Sequence, residues 1–114
     1  MNPNARIVLT TAASSDEARR LGRALVEEKL AACATLIPQV ESIYRWQGQV
    51  ETAGEALLLL KTEAEKLSAL EQRLHQLHSY DTPEFLVLPV DAASERYLQW
   101  LHASLASDGG SPAS

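Results

Sequence analysis

His78, Asp81 and Glu84 form H-x-x-D-x-x-E, placing an imidazole and two carboxylates in one short segment. Such groups close together can hold a divalent cation, and the imidazole favours copper, zinc or nickel. The same residues have a second use. His78 can cap a helix C-terminus, where a cation near the last carbonyls is favourable. Asp81 would then stabilise a turn and Glu84 would be a surface group. Cys33 is the one cysteine of the chain. Its thiolate would be a soft ligand for Cu(I) or Zn, whereas its thiol would behave as a small buried hydrophobe. There is no C-x-x-C and no H-x-x-x-H, and His75 and His102 sit among polar residues that predict solvated rings.

Lys61, Tyr44, Trp46 and Tyr80 are the other residues with chemistry to offer. Lys61 closes an apolar run and is expected near the His78 loop. There it would pair with Glu84, meet an anionic ligand, or snorkel to water. The three aromatic residues would line a cleft between subunits or form the core of an interface, where aromatic side chains are enriched. Catalysis has little support. The chain has no G-x-S-x-G, no Gly-rich phosphate loop and no paired-carboxylate signature, so a non-enzymatic protein is expected.

These side chains must be positioned by a chain of 114 residues, the length of one domain. A net charge of −5 argues against nucleic acid, because no basic stripe is present to neutralise phosphates. The unbroken apolar run Ala56 to Leu60, which no other run exceeds in length, is far too short to cross a bilayer. Ile7-Val8-Leu9 reads as a short buried strand rather than a secretory signal. A lone cysteine forms no internal disulfide, so no oxidising compartment is needed and a cytoplasmic location is expected.

Met1 to Ala5 is expected to fray, and Arg6 to Thr11 to form a strand. Ser14-x-x-Glu17 fits a capping box opening a helix to about Ala32. Ala18, Leu21, Leu25 and Ala32 would face the core, with Arg19, Arg20, Arg23 and Glu27 outward. Ala34 to Gln47 is apolar, β-branched or aromatic with polar residues interleaved, and reads as a strand. At 3.3 Å per residue it spans roughly 45 Å, so it overhangs a core with a radius of gyration of about 13 Å. Pro38 predicts a bulge, Gln47-Gly48-Gln49 a turn, and Gly54-Glu55 a break after a short return strand. The leucine strand Ala56 to Lys61 hardly alternates, which predicts burial of both faces. A helix over Ala64 to His78, a strand over Glu84 to Val90 and a helix over Ser94 to Ala106 complete one domain, residues 1–106. The Ser/Gly/Pro-rich residues 107–114 predict a disordered tail.

The order β-α-β-β-α-β plus a terminal helix is an α+β, ferredoxin-like pattern with a long protruding β2-β3 hairpin. Two helices cover one sheet face. The other face and the aromatic hairpin tip call for a partner, and an oligomer is the simplest.

Several blocks, in order, resemble the CutA family of divalent-ion tolerance proteins. They are Leu30-Ala31-Ala32-Cys33, Ile37-Pro38, Ser42 to Gly48, Leu58 to Thr62, His78 to Glu84, Leu88-Pro89-Val90 and Tyr97 to Trp100. The resemblance implies a ferredoxin-like protomer, a tight homotrimer, and an association with copper or other divalent cations. Its histidine falls on His78, although the family's proline after it is Ser79 here and its glutamate is Asp81. The expectation is a homotrimeric, copper-type cation-binding protein of metal tolerance, with His78, Asp81, Glu84 and Cys33 as ligands. The alternative resembles the PII regulators, with Tyr44, Trp46, Lys61, Tyr80 and Glu84 lining an inter-subunit cleft for a small molecule. A scaffold for another protein is the third expectation.

Overall fold

Along one central strand Ala56, Leu58, Leu60 and Thr62 are fully buried, while Leu57, Leu59 and Lys61 between them are only half-buried. That alternation sets the layers of the protein. The computed structural model describes residues 3–106. Its elements are β1 (Ala5–Ala12), α1 (Ser15–Glu27), β2 (Cys33–Trp46), β3 (Gln49–Glu63), a 3-10 turn (Ala64–Lys66), α2 (Leu67–Leu77), β4 (Leu86–Pro89) and α3 (Glu95–Ser104). The sheet order is β2-β3-β1-β4, every neighbouring pair is antiparallel, and α1 and α2 cover one face. The expected α+β, ferredoxin-like arrangement is the one observed.

The core lies between this face and the two helices. Val8, Leu58 and Leu60 of the sheet meet Ala18, Leu21 and Leu25 of α1 and Leu70 and Leu74 of α2. Each such leucine contributes about 1.5–3 kcal/mol by leaving water. Helix α1 comes unusually close to β2, because a Cβ on Gly22 would lie 2.9 Å from the Ala34 Cβ. Ser14 caps α1 as its position predicts, its Oγ accepting from the Glu17 N–H at 3.1 Å.

Three expectations change. Helix α1 stops at Glu27 rather than near Ala32, with Lys29 beyond it in a left-handed conformation at φ 61°. Strand β3 is continuous from Gln49 to Glu63, because Gly54 and Glu55 keep their ladder partners Glu41 and Val40. The opposite face of β3 is half-buried and is covered within one protomer only at one end, by α3, which matches the expected need for a partner. Ala5 is not frayed: it is buried with Ala32, Leu101 and Leu105 where α3 crosses the sheet. The tail prediction for residues 107–114 falls outside the described residues.

Pro38 acts as its chemistry dictates. The β2-β3 register shifts between Ile37 and Val40, where the proline has no N–H to donate. Beyond that bulge the hairpin runs on to Trp46 and stretches the protein to 51 Å along its longest axis. Its tip leaves Ile43 68% and Trp46 59% exposed. Strand β4 is exposed along its whole length.

Candidate functional site

Helix α2 ends at His78, whose backbone turns to an extended conformation and sends the chain across the end of β1. The imidazole fills that junction. Its Nε2 lies 2.7 Å from the Thr11 carbonyl, its Nδ1 accepts from the Tyr80 N–H at 3.0 Å, and its side chain is 0% exposed. Tyr80 packs on it with ring centroids 4.7 Å apart. The Tyr80 hydroxyl donates to Glu55 Oε2 at 2.6 Å. Burial first, and the Glu55 carboxylate second, raise the phenol above its usual range.

Glu17 completes this network, and its part was not read from the sequence. The carboxylate accepts from Ser79 N–H at 2.8 Å, Ser79 Oγ at 2.9 Å and Ala13 N–H at 3.3 Å. Burial opposes its charge. The hydrogen bonds from Ser79 and Ala13 outweigh that cost, and the pKa falls below the ordinary carboxylate value. The capping box pointed at Glu17 but predicted a purely local role for it. The bond to Ser79 spans 62 residues of sequence and has no local signature.

The expected ligands are not brought together within one protomer. Cys33 and Ile7 flank Lys61 in one row across the sheet, whereas Thr11, which holds His78, pairs with Leu57. From Leu57 to Lys61 along β3 is roughly 13 Å. Cys33 and His78 therefore belong to different ends of the sheet. Among the described residues no group of three or more His, Cys, Asp or Glu could hold a metal ion. Asp81 is exposed and Glu84 half-buried, and neither makes a hydrogen bond or ion pair among the described residues.

Lys61 also departs from expectation. It donates to Thr35 Oγ1 at 2.7 Å and lies 3.8 Å from Cys33 Sγ, rather than near the His78 loop or paired with Glu84. The ammonium thus stands beside the thiol at one end of the sheet. Lys61, Ile7, Val90, Tyr97, Leu98 and Leu101 line an apolar cavity of about 230 Å³ under α3. Tyr44 and Tyr80 lie near enough to interact electrostatically. Trp46 stands further out at the tip, and from Glu55 to Lys61 is roughly 20 Å of strand. One protomer thus separates Lys61 from the aromatic group expected to share its cleft.

The architecture defines a class first: a ferredoxin-like domain with an extended β2-β3 hairpin. Residues 6–104 match the CutA1 divalent ion tolerance protein family. The divalent-cation tolerance protein CutA of Pectobacterium atrosepticum is 45% identical over 102 residues, covering 90% of this chain and 93% of that one. The structure of CutA from Synechococcus elongatus superposes with a TM-score of 0.88 at 40% identity, covering 93% and 95% of the two chains. A CutA of Archaeoglobus fulgidus, described as a periplasmic divalent cation tolerance protein, gives 0.87 at 30% identity, covering 90% and 99%. The chain belongs to the CutA1 family, which is named for tolerance of divalent ions and not for a reaction.

Proposed function

We propose that the protein acts in divalent-ion tolerance as a homotrimer that binds cations, copper first among them, without catalysing a reaction. The observation that carries the assembly is the uncovered apolar surface. Ile43, Tyr44, Trp46 and Val50 at the hairpin tip and Leu86, Val87 and Leu88 on an edge strand are all exposed large hydrophobic residues. A hairpin that extends a neighbour's sheet covers both, and three such heterologous contacts close into a ring. Cation ligands would then be drawn from more than one subunit, among Cys33, Asp81 and Glu84, since one protomer gathers no set of three. A cytoplasmic site of action belongs to the same proposal, because the single free cysteine needs no oxidising compartment.

Light scattering at micromolar protein tests the assembly: a trimer mass is expected, and a monomer mass refutes it. Titration calorimetry with Cu(II) and Zn(II) tests the cation function, and an absence of uptake by the trimer refutes it. A second reading, a small-molecule cleft of the PII type, is favoured by one observation. Lys61 has no carboxylate partner among the described residues and borders an apolar cavity, which suits an anionic, partly apolar ligand. A thermal-shift screen of nucleotides and small carboxylates in the presence of chelator separates the two readings. Stabilisation there supports the cleft, and a flat screen counts against it.

A further inference from the structure

The protons on His78 are fixed by its neighbours. The Thr11 carbonyl can only accept, so Nε2, 2.7 Å away, carries hydrogen. The Tyr80 N–H can only donate, so Nδ1, 3.0 Å away, presents its lone pair. The ring is therefore the Nε2–H tautomer with no lone pair to spare. Copper or zinc needs an imidazole lone pair at about 2.0–2.1 Å. At Nδ1 a metal would displace the Tyr80 N–H. At Nε2 it would displace a proton and orphan the Thr11 carbonyl. The ring is also out of contact with solvent, and Glu17 Oε2, 3.7 Å from Nδ1, is already committed to the Ser79 N–H. Among the described residues no third metal-ligating side chain joins them.

We infer that His78 is a positioning residue and not a cation ligand. Its locked ring ties the α2-β4 loop to the end of β1 and, with Glu17, sets the path of Ser79 and Tyr80. Any divalent cation is held by other groups. This inference rests on the cation function proposed above only for the contrast it draws. The tautomer can be read with or without metal.

The test is long-range ¹H–¹⁵N NMR of the histidine rings in the wild-type protein at pH 7, before and after zinc, with calorimetry on the same sample. The expected result is a His78 ring with pyridine-type Nδ1 and pyrrole-type Nε2 that stays unchanged as zinc is taken up. His75 and His102, both exposed, serve as internal controls for adventitious binding. A stoichiometric zinc-induced shift at either His78 nitrogen overturns the inference. So does a ring protonated at Nδ1 in metal-free protein. If no zinc is taken up, the cation function fails while the tautomer pattern still decides the role of His78. The variant His78→Gln keeps a donor for Thr11. It should bind zinc within about threefold of wild type while melting lower, and a loss of more than tenfold in affinity also overturns the inference.

Discussion

Removing the Glu17 carboxylate should unravel the α2-β4 loop from α1, and the size of the effect can be worked from its bonds. Glu17→Ala deprives two backbone N–H groups and one hydroxyl of their acceptor. Hydrogen bonds to a charged group are worth about 1.5–3 kcal/mol each. Ala13 and Ser79 are exposed, so water takes over part of each bond, and the expected loss is roughly 2–3 kcal/mol. With a urea dependence of about 1–3 kcal/mol/M for a domain this size, the midpoint should fall by about 1–2 M. Glu17→Gln keeps the shape but turns an amide donor toward the Ser79 donors, and should lose roughly half as much. The pH dependence fixes the cause. Glu17 has a depressed pKa in the folded state, so its contribution is complete above the unfolded value of about 4.3. It is lost as pH falls through the lower folded value. The gap between wild type and Glu17→Gln should therefore be widest at neutral pH and narrow below about pH 4. Urea melts at fixed protein concentration from pH 7 to pH 3 measure this. A constant gap across that range, or a loss in Glu17→Ala below about 0.5 kcal/mol, would refute the argument.

Gly22→Ala places a methyl 2.9 Å from the Ala34 Cβ and should destabilise by about 1–3 kcal/mol through overpacking, measurable in the same melts. Gln47 has φ 51° ahead of Gly48 at φ 80°. Gln47→Asn should therefore stabilise by a few tenths of a kcal/mol, since asparagine tolerates that region better; an unchanged or lower midpoint would count against it. Trp46 is exposed in the protomer. Trp46→Ala should cost under about 0.5 kcal/mol if the tip stays solvated, and about 3–5 kcal/mol per subunit if a partner buries it. A melting point insensitive to both the substitution and protein concentration would remove the tip from the interface.

What the sequence disclosed was local. The Ser14-Glu17 cap, the Pro38 bulge, the Gly48 turn and the Ala18, Leu21 and Leu25 stripe of α1 follow from short-range chemistry and appear where expected. Strand β3 was harder. Four successive leucines conceal an alternation that only the one-sided placement of the helices reveals, and Gly54 looks like a break until the ladder to Glu41 is known. The candidate ligands were least legible, because register rather than residue type decides their neighbours. Nothing in the chain order tells that Cys33 shares a row with Lys61 while His78 meets Thr11. An H-x-x-D-x-x-E spacing says even less about a ring whose two nitrogens are both taken by backbone.

The ties at His78 and Glu17 join residues 67 and 62 positions apart. Contacts so distant in sequence form only after the entropy of closing a long loop has been met, so they are expected late in folding. They also anchor the loop that leads into the short strand β4, whose one ladder among the described residues is with β1. The last segment to fold should then be the first to open. Hydrogen exchange in the native protein should find β4 and the Ser79 amide opening together at a lower free energy than the central leucine strand β3.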